Sequence, residues 1–528
     1  MKLFAIFSLL LAVAGLPAAE GQARSRGIYN VLEFGAVPDA RVKNTAAIQR
    51  AIAACSGAGG GTVLFPAGKY LSGSIHLESN ITLHLDAGAE LIYSDDPKDS
   101  PLVPSRWEGT NVFTYGPLIY ANGKANLAIT GRGTINGAGK NWWWRNARPE
   151  QGRPEQALPA KEAWRQLYDR IERGDKVSST DFTVAAGYLR PSLVQFFECR
   201  NILVEGVTIT NSPMWLLHPI YSEDIVVRGV RFLSEGPNGD GIDVDSCRNV
   251  RISDCFFTTG DDCIVIKSGR DNDGMRSARP TEHVTITNCV IYKGHGAVVI
   301  GSETSGGIRN VTASNIVAKG TDRGIRIKSQ RGRGGVLENF RFDNWVIEDA
   351  RVQAIEVTSQ YGRTTAEPLS ERTPVFRNIA FSNITVVNAR TVARIVGLPE
   401  MEIKQLRFTD IDATGEKGFL AEDVSGLELR QFRVTATKGS AFDVSQGTDV
   451  IFDDIGCGTT DRKASGVSLK DCSEMLLRNS RAIVNTNAFL SLSGSKTRDI
   501  RLVGNELSRA AREIDASSEV PAAAIIRQ

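Results

Sequence analysis

The sequence predicts an all-β fold: a right-handed parallel β-helix with an N-terminal capping helix. A polar residue followed by an apolar one recurs along the chain at tight intervals of about 23 to 25 residues. Between these positions, apolar and polar residues alternate as they do in strands. No regular helices separate the strands, which argues against leucine-rich and ankyrin-type repeats. Such a repeat is typical of a solenoid whose coils stack ~4.8 Å apart.

The N-terminal segment predicts a secretory signal over residues 1–22. Lys2 supplies the positive start, residues 3–16 are apolar and small residues follow. The apolar run is shorter than the ~20 residues that a membrane span needs, and no later stretch is a candidate span. We therefore expect a secreted or periplasmic protein without a membrane partner. A net charge of +2 over 528 residues argues against a nucleic-acid partner.

Residues 28–95 predict the start of the solenoid. Asn44 or Thr45 is a candidate cap for a helix that ends at Gly57. The apolar face of this helix consists of Ile48, Ala51, Ile52 and Cys55. Alternating strands follow, so we expect the helix to cover the first coil, whose edge groups are otherwise unpaired.

Residues 140–190 interrupt the coil pattern. Trp164, Leu167, Tyr168 and Ile171 have helical spacing, and Gly174 follows as a stop, which predicts an insertion with a short helix. Trp142 to Trp144 are either a sugar-stacking surface or packing for the insertion, and packing is favoured for most of the three.

The repeat is clearest after residue 199. Its positions are Asn201-Ile202, Asp224-Ile225, Asn249-Val250, His283-Val284, Asn310-Val311, Asn339-Phe340, Asn378-Ile379, Glu402-Ile403, Gly426-Leu427, Asp449-Val450, Glu474-Met475 and Asp499-Ile500. The polar clusters end before residue 400. We therefore expect a catalytic β-helix over 28–395 and additional C-terminal coils over 396–520.

The eight cysteines have no metal-ligand spacing. Cys247, Cys255, Cys263 and Cys289 lie in apolar, strand-like runs. We interpret them as small buried hydrophobic residues. No metal site and no cofactor are predicted.

Chemistry-bearing residues are concentrated between 234 and 330. Asp240 precedes the pair Asp261 and Asp262 by about one coil, so the three carboxylates are expected side by side. His295 follows a coil later. Arg326 and Lys328 come next and, being two residues apart, face the same side of a strand. Together they form a compact acidic and basic patch.

Three adjacent carboxylates repel one another, so one is expected to hold a proton. A protonated carboxyl beside an ionised one supplies the acid and base for glycosidic hydrolysis. The competing interpretation, that aspartates in Gly-rich turns only cap backbone groups, is favoured for Asp243, Asp245, Asp271 and Asp273. The segment 271–274 is read as a turn.

Four of these segments, NGDGID, GDDC, GHG and RIK, resemble in order and spacing the signature segments of the polygalacturonase family of glycoside hydrolases (family 28). NSPMWLLHP and the opening segments are similar to that family too, and the resemblance covers roughly residues 28 to 395. It implies a pectin-lyase-like solenoid and an inverting hydrolase acting on galacturonate bonds of pectin.

The resemblance also implies roles for individual residues. Asp261 matches the general acid, and Asp240 and Asp262 match the pair that activates water. His295 matches the histidine that supports the acid. The substrate-binding residues implied are Asn238, Arg326 and Lys328, with His218 a weaker candidate. Gly239 stands where the family usually has threonine.

The insertions at 140–190 and 357–376 flank the catalytic repeats. If both fold over the groove, one end is closed, which predicts exo-action releasing single uronic acid units from the non-reducing end. We expect a monomer that binds pectic poly- or oligosaccharides. Alternatives are a rhamnogalacturonan or other pectic side-chain galacturonidase, a calcium-dependent pectate lyase, and a non-catalytic carbohydrate-binding β-helix.

Overall fold

Three parallel sheets wind around one hydrophobic interior in the computed structural model, which describes residues 27–143, 157–362, 365–484 and 486–527. The fold is the right-handed parallel β-helix that the sequence predicts. The predicted signal segment and Trp144 lie outside the described residues. Within the described ranges, no helix has the length and apolarity that crossing a bilayer requires.

The strands, in chain order, fall into three groups. Those before the site are β1 Gly27–Asn30, β2 Asp39–Lys43, β3 Gly61–Phe65, β4 Gly68–Ser72, β5 Ile75–His76, β6 Ile81–Leu85, β7 Ala89–Tyr93, β8 Leu102–Trp107, β9 Thr110–Tyr115, β10 Ile119–Asn122, β11 Ala125–Gly131, β12 Thr134–Asn136, β13 Val194–Phe197, β14 Arg200–Glu205 and β15 Thr208–Thr210. Those around the site are β16 Leu217–Ile220, β17 Glu223–Arg228, β18 Arg231–Leu233, β19 Ile242–Asp245, β20 Arg248–Ser253, β21 Phe256–Thr258, β22 Ile264–Lys267, β23 Thr281–Tyr292, β24 Val298–Ile300, β25 Ile308–Lys319, β26 Arg323–Lys328, β27 Val336–Glu348 and β28 Gln353–Thr358. Those after it are β29 Val375–Val396, β30 Ile403–Ala436, β31 Phe442–Asp453, β32 Gly456–Thr459, β33 Val467–Lys470, β34 Ser473–Arg478, β35 Arg481–Ala482, β36 Thr486–Ser493, β37 Arg498–Val503, β38 Ala510–Ala516 and β39 Ile525–Arg527.

Sheet 1 carries the site. Its strands β13, β16, β19, β22, β24, β26 and β28 pair in parallel, one per coil. Sheet 2 stacks β14, β17 and β20, and sheet 3 stacks β15, β18 and β21. The longer strands, such as β23, turn the corner between sheets 2 and 3. Sheet 1 continues from β28 through parts of β29, β30 and β31 to β33, β36 and β38.

The interior is filled by stacked side chains, because the inward residues of one coil lie directly on those of the next. The rings of Phe232 and Phe257 are stacked with centroids 4.7 Å apart. Phe381 is stacked between Phe342 and Phe408 in the same way. Each buried side chain of this size contributes about 1.5–3 kcal/mol relative to exposure.

The polar residues of the repeat occupy the corner that precedes sheet 2. Asn201, Asn249 and Asn339 have left-handed backbone angles there, a conformation that asparagine tolerates better than most residues. The side chain of Asn339 donates to that of Asn310 at 3.0 Å, which links neighbouring coils. One predicted position is wrong. Gln405, not Glu402, occupies this corner, because Leu406 pairs with Ile379.

The capping helix α1, Thr45–Gly57, is confirmed, and its predicted apolar face is buried. The predicted cap is wrong, however, because neither candidate side chain bonds the first turn. The side-chain amide oxygen of Asn44 accepts from the Val37 N–H at 2.6 Å, and the Thr45 hydroxyl oxygen accepts from the Gly73 N–H at 2.7 Å. Both side chains therefore tie the helix to the coil beneath it.

Among the described residues, the insertion between β12 and β13 contains three α-helices: α2 Lys140–Trp143, α3 Ala157–Arg173 and α4 Phe182–Ala185. Helix α3 is longer than predicted and ends before Gly174, as expected. Trp142 is buried and stacked on Tyr93, while the Trp143 indole N–H donates to the Ser212 carbonyl at 2.9 Å. Trp142 and Trp143, the two described members of the trio, therefore serve packing.

The segment predicted as a turn at 271–274 is instead the start of helix α5, Asp271–Ser277. Its N-terminus is fixed from outside, because the Glu172 carboxylate on α3 accepts from the Asn272 N–H at 3.0 Å. This contact joins residues far apart in sequence, which explains why local pattern did not reveal the helix.

All eight cysteines are buried and free of disulfides. The interpretation of Cys247, Cys255, Cys263 and Cys289 as small buried hydrophobic residues is confirmed.

Candidate active site

The candidate site residues lie at the entrance to successive strands of sheet 1. Asp240 precedes β19, the pair Asp261 and Asp262 precedes β22, and His295 precedes β24. Arg326 and Lys328 lie within β26. Since these strands are consecutive neighbours, residues spread over some 90 positions of sequence come together over four coils.

Three carboxylates meet at this corner. One oxygen from each of Asp240, Asp261 and Asp262 lies within 4.8 Å of the others. Asp240 and Asp262 are buried, whereas the Asp261 side chain retains 22% of its exposure. The separation is shorter than the ~6.5–9.5 Å general for inverting glycosidases. Asp261 is therefore the carboxylate that a ligand reaches most directly.

The surroundings push the two buried carboxyls in opposite directions. Burial raises the pKa of Asp240 well above its ordinary value, and the neighbouring Asp243 and Asp261 raise it further. Burial also acts to raise the pKa of Asp262, but the charges of Lys328 and Arg326 outweigh it and hold the pKa below its ordinary value. The surroundings therefore favour the protonated form of Asp240 and the ionised form of Asp262.

His295 lies against Asp261. Its Nδ1 is 3.1 Å from Asp261 Oδ1, which also accepts from the Asp262 N–H at 2.9 Å. The backbone N–H of His295 donates to the Asp261 carbonyl at 2.9 Å. The hydrogen bond to Asp261 raises the pKa of His295, with burial opposing. Asp261 is thereby fixed in orientation from both sides.

The basic pair on β26 is already engaged by acids. The Lys328 ammonium donates to Asp262 at 2.8 Å. The Arg326 guanidinium donates through Nε to Glu356 at 2.7 Å, and Arg323 bonds the same carboxylate. The ring of Tyr361 lies 5.1 Å from both Arg326 and Lys328, which places the two cations on one side of the strand, as expected.

Asn238 lies in the tight turn before Asp240, with a left-handed backbone. Its side-chain oxygen accepts from Arg190 at 2.5 Å. A Cβ at the neighbouring Gly239 would lie 2.7 Å from the Ser234 hydroxyl and 2.8 Å from the Gly236 carbonyl. The turn is therefore packed too closely for a larger residue where the resemblance expects threonine.

The sequence matches a family model described as "Glycosyl hydrolases family 28" over residues 178–418. A second model, "Rhamnogalacturonase A/epimerase, pectate lyase-like", matches 28–95. The Vitis vinifera protein named "Probable polygalacturonase" is 32% identical over 75% of this chain and 79% of its own length. The chain belongs to family 28 of the glycosyl hydrolases.

Two further similarities agree with this assignment. The solved exopolygalacturonase of Thermotoga maritima is 37% identical, with a TM-score of 0.69, over 77% of this chain and 89% of that one. The exo-poly-alpha-D-galacturonosidase of Dickeya chrysanthemi is 30% identical over 71% of this chain and 64% of its own length. This chain is thus a glycoside hydrolase, as its sequence predicts.

His218 contradicts the expectation of a substrate contact in this family 28 hydrolase. Its side chain is fully buried behind the site, edge-on to the Trp215 ring, with centroids 4.7 Å apart. Its Nδ1 is 3.1 Å from the Ser192 hydroxyl, and its Nε2 is 3.9 Å from the Asp245 carboxylate. Burial lowers the pKa of His218. The histidine supports the floor of the site and does not line it.

The capping interpretation holds for some of the other aspartates. Asp245 accepts from the Gly269 N–H at 3.1 Å, and Asp273 from the Asn111 N–H at 2.9 Å. Asp271 binds side chains instead, including the Tyr168 hydroxyl at 2.7 Å. Asp243 is different: it is buried, and Lys267 Nζ lies 3.6 Å from its Oδ1.

The cleft beside the aspartates measures about 280 Å³ and has walls that the sequence did not reveal. The residues missed are Glu108, Trp215, Lys267, Arg270, Ser302, Glu303, Arg333 and Tyr361. Among them, Lys267 donates to Glu303 at 2.7 Å and lies 4.7 Å from the Trp215 ring. Burial acts to lower the pKa of Lys267, but Glu303 and Asp243 outweigh it and raise the pKa. The sequence signals that could have revealed Arg270, Ser302 and Glu303 were the segments SGR and GSE, which follow the second and third signature segments.

The insertions meet at one end of this cleft. Helix α3 contacts helix α5 through Tyr168 and Asp271, and Arg372 from the second insertion donates to the Asn272 side chain at 2.9 Å. Arg270 and Glu108, which line the cleft, form an ion pair at 3.1 Å. Both insertions therefore contact α5, the helix that follows the cleft residue Arg270.

Proposed function

We propose that this protein is an exo-acting galacturonosidase that hydrolyses the α-glycosidic bonds of galacturonic acid in pectin with inversion. It releases single units from the non-reducing end. The observation that carries the proposal is the cluster of three carboxylates within 4.8 Å, with Asp261 its most exposed member, beside the cations Lys328 and Arg326.

In the proposed reaction, Asp261 transfers its proton to the glycosidic oxygen as the bond from that oxygen to the anomeric carbon breaks. Asp240 and Asp262 hold a water whose oxygen forms the new bond to that carbon from the opposite face. The water keeps one proton in the new hydroxyl group and gives the other to the Asp240–Asp262 pair. A single displacement of this kind inverts the anomeric configuration. His295, bonded to Asp261, is proposed to orient the acid.

Lys328 and Arg326 are proposed to bind the carboxylate of the substrate. Arg326 bonds Glu356 through Nε, and both cations lie beneath Tyr361. Charge-assisted hydrogen bonds to a uronate distinguish it from a neutral sugar. Galacturonate is the uronate that the names of the similar Thermotoga and Dickeya proteins carry.

Exo-action is supported by the closed end of the cleft. The Glu108–Arg270 pair stands across it, with α3 and α5 behind and Arg372 bridging from the second insertion. A chain end fits against such a wall, whereas a continuous polymer does not. The names of both similar proteins, the Thermotoga exopolygalacturonase and the Dickeya exo-poly-alpha-D-galacturonosidase, also state exo-activity.

Asp261→Asn tests the catalytic assignment. General acid catalysis is worth about 10²–10⁴-fold, so the variant is expected to fold and to lose at least 99% of its turnover of polygalacturonate. Asp449→Asn, the same change at an exposed corner of sheet 2, is the control and should retain full activity. Retention of more than a tenth of wild-type turnover by Asp261→Asn removes Asp261 from the role.

The mode of attack is tested by following viscosity and reducing ends together on long galacturonan. Exo-action predicts a slow fall in viscosity and galacturonate as the earliest product. A steep fall in viscosity while few reducing ends have appeared means internal cutting. A panel of defined pectic oligosaccharides, including rhamnogalacturonan fragments, then distinguishes the substrate from the alternatives.

A calcium-dependent lyase is the second candidate, because three carboxylate oxygens within 4.8 Å also suit a cation. It is disfavoured because the Lys328 ammonium already bonds Asp262 in this cluster. A lyase yields unsaturated products and loses activity to a chelator. Saturated products formed in the presence of a chelator support hydrolysis. We further propose that the enzyme acts as a monomer outside the cytoplasm.

A further inference from the structure

A second groove, of about 530 Å³, lies on the outer side of the wall that closes the catalytic cleft. Glu108 and Arg270 line both spaces. Their ion pair, at 3.1 Å, is held in place because Arg270 also lies 5.4 Å over the Tyr168 ring and its N–H donates to the Gly109 carbonyl at 3.0 Å. The two spaces are neighbours separated by a fixed pair of side chains.

The groove is lined by aromatic rings from three different segments. Trp107 comes from the β8–β9 hairpin, Trp164 and Tyr168 from α3, and Tyr188 from the segment after α4. The Trp107 and Trp164 rings meet edge to face at 5.5 Å, and Tyr188 tilts against Trp107 at 5.9 Å. Trp164 and Tyr168 are partly exposed. Partly exposed aromatic faces pack well on the C–H face of a sugar ring.

The charges at the rim select an acidic sugar. Arg165 is neutralised by Glu162 at 2.8 Å, and Arg270 by Glu108. Lys161, one turn earlier on α3, is exposed and forms no ion pair with any residue that the structure describes. An exposed cation above aromatic rings matches a uronate, which offers a carboxylate and an apolar ring face together.

The position of the groove excludes it from the path of the chain being cut. Tyr188 precedes β13, and Asp240 precedes β19, two coils further on. Two coils correspond to about 10 Å along the axis of the β-helix. The Glu108–Arg270 wall stands between them. A chain end seated against the aspartates therefore does not continue into the groove.

We propose that this groove is a second polyuronate-binding site, which holds a neighbouring galacturonate segment of pectin while the cleft processes a chain end. The proposal rests on the proposed function for the identity of the sugar. Its effect is to raise the local concentration of chain ends, which acts on affinity for long substrates and leaves the chemistry unchanged.

The test measures binding without turnover, in the Asp261→Asn background, by retardation of the folded protein in gels containing polygalacturonate. Lys161→Ala and Trp164→Ala are expected to weaken this retardation roughly fivefold. Lys176→Ala removes the same charge from an exposed position just beyond α3 and is the control. With Asp261 intact, the KM for the polymer should rise by a similar factor, while the KM for trigalacturonate stays the same.

Equal retardation of Lys161→Ala, Trp164→Ala and the Lys176→Ala control overturns the proposal. So does a change in the size of the released product, since that makes the groove part of the cleft. Because Lys161 is exposed, its replacement does not threaten folding, and Lys161→Glu should weaken binding further. If the wild-type enzyme binds polygalacturonate without hydrolysing it, the proposed function fails and the groove stands. If the wild-type enzyme hydrolyses polygalacturonate but the groove variants bind it as well as the control does, the proposed function stands and the second site fails.

Discussion

Replacing Lys328 by methionine removes the charge that holds Asp262 ionised in a buried position. The Lys328–Asp262 ion pair is 2.8 Å long, and its side chains are only 7% and 3% exposed. From the sequence, Lys328 is expected to bind substrate. The structure predicts a loss of stability as well, because the variant buries a carboxylate without its partner.

The size of this loss follows from the burial. Removing one partner of a buried ion pair costs about 3–5 kcal/mol. Unfolding entropy of about 2.1 cal/mol/K per residue gives roughly 1.1 kcal/mol per kelvin for a chain of 528 residues. Lys328→Met is therefore expected to lower the melting temperature by about 3–5 °C at neutral pH.

The loss depends on pH. In the wild type, the pKa of Asp262 lies below its unfolded value, so its contribution to stability is present above about pH 4 and is lost as the pH falls through the folded pKa. In Lys328→Met, burial dominates and raises the pKa of Asp262. A raised pKa in an acid destabilises the ionised fold above that pKa, so the deficit is full at neutral pH and shrinks as the pH falls.

Thermal unfolding of Lys328→Met and the wild type across pH 4 to 8 measures this deficit. Lys319→Met, which breaks a half-exposed pair with Glu348, is the control and should cost less than about 1 kcal/mol. Adding Asp262→Asn should restore much of the stability lost in Lys328→Met, because the unpaired charge is then absent. An unchanged melting temperature for Lys328→Met at pH 7, or a deficit of equal size at pH 4 and pH 7, refutes the reasoning.

Three further outcomes are expected. His295→Gln should lower the free energy of unfolding by less than about 1 kcal/mol at pH 5 and leave it unchanged at pH 9. The pKa of His295 is raised in the folded protein, so the protonated ring stabilises the fold below the ordinary pKa and loses this effect above the folded pKa. A variant whose melting temperature differs from the wild type by the same amount at both pH values contradicts this. Tyr361→Ala should raise the KM for galacturonate oligomers about fivefold through lost cation–π support, while Tyr361→Phe keeps the wild-type KM; identical kinetics of both variants remove the ring from the site. Arg372→Ala breaks the contact to Asn272 that joins the insertions and should let products longer than one unit appear on chromatography, whereas galacturonate alone shows that this contact does not close the cleft.

The sequence sufficed for the solenoid and for the carboxylate cluster because both depend on regular coil length. Asp240 and Asp261 are about one coil apart, and no insertion separates them, so their contact follows from counting residues. The corner residues were equally regular, since asparagine is one of few side chains that accept the left-handed backbone there. The error at Glu402 arose because two polar–apolar pairs, Glu402-Ile403 and Gln405-Leu406, lie three residues apart, and only the second stands at the corner.

What the sequence could not supply were contacts between distant insertions. Arg270 and Glu108 reach the site, and Arg372 reaches Asn272 beside it, from loops whose length says nothing about their path. The prediction for His218 was wrong for another reason. Alternation along β16 shows which residues share a face of the strand, but not whether other residues cover that face. Trp215 and the segment carrying Ser192 cover it. The helix at 271–277 likewise depends on a carboxylate supplied by α3.

The coils differ in length while their strands stay in register. Ile242 pairs with Ile264 after 22 residues, and Ile355 pairs with Ala393 after 38. The extra residues form loops at the corners, so they do not change the spacing between the strands of the sheet. Evolution can therefore lengthen, shorten or exchange these corners without disturbing the catalytic aspartates. In such a scaffold, the reaction is inherited with the coils and the choice of substrate with the loops, which makes transplanting a corner segment between relatives a direct route to a new product profile.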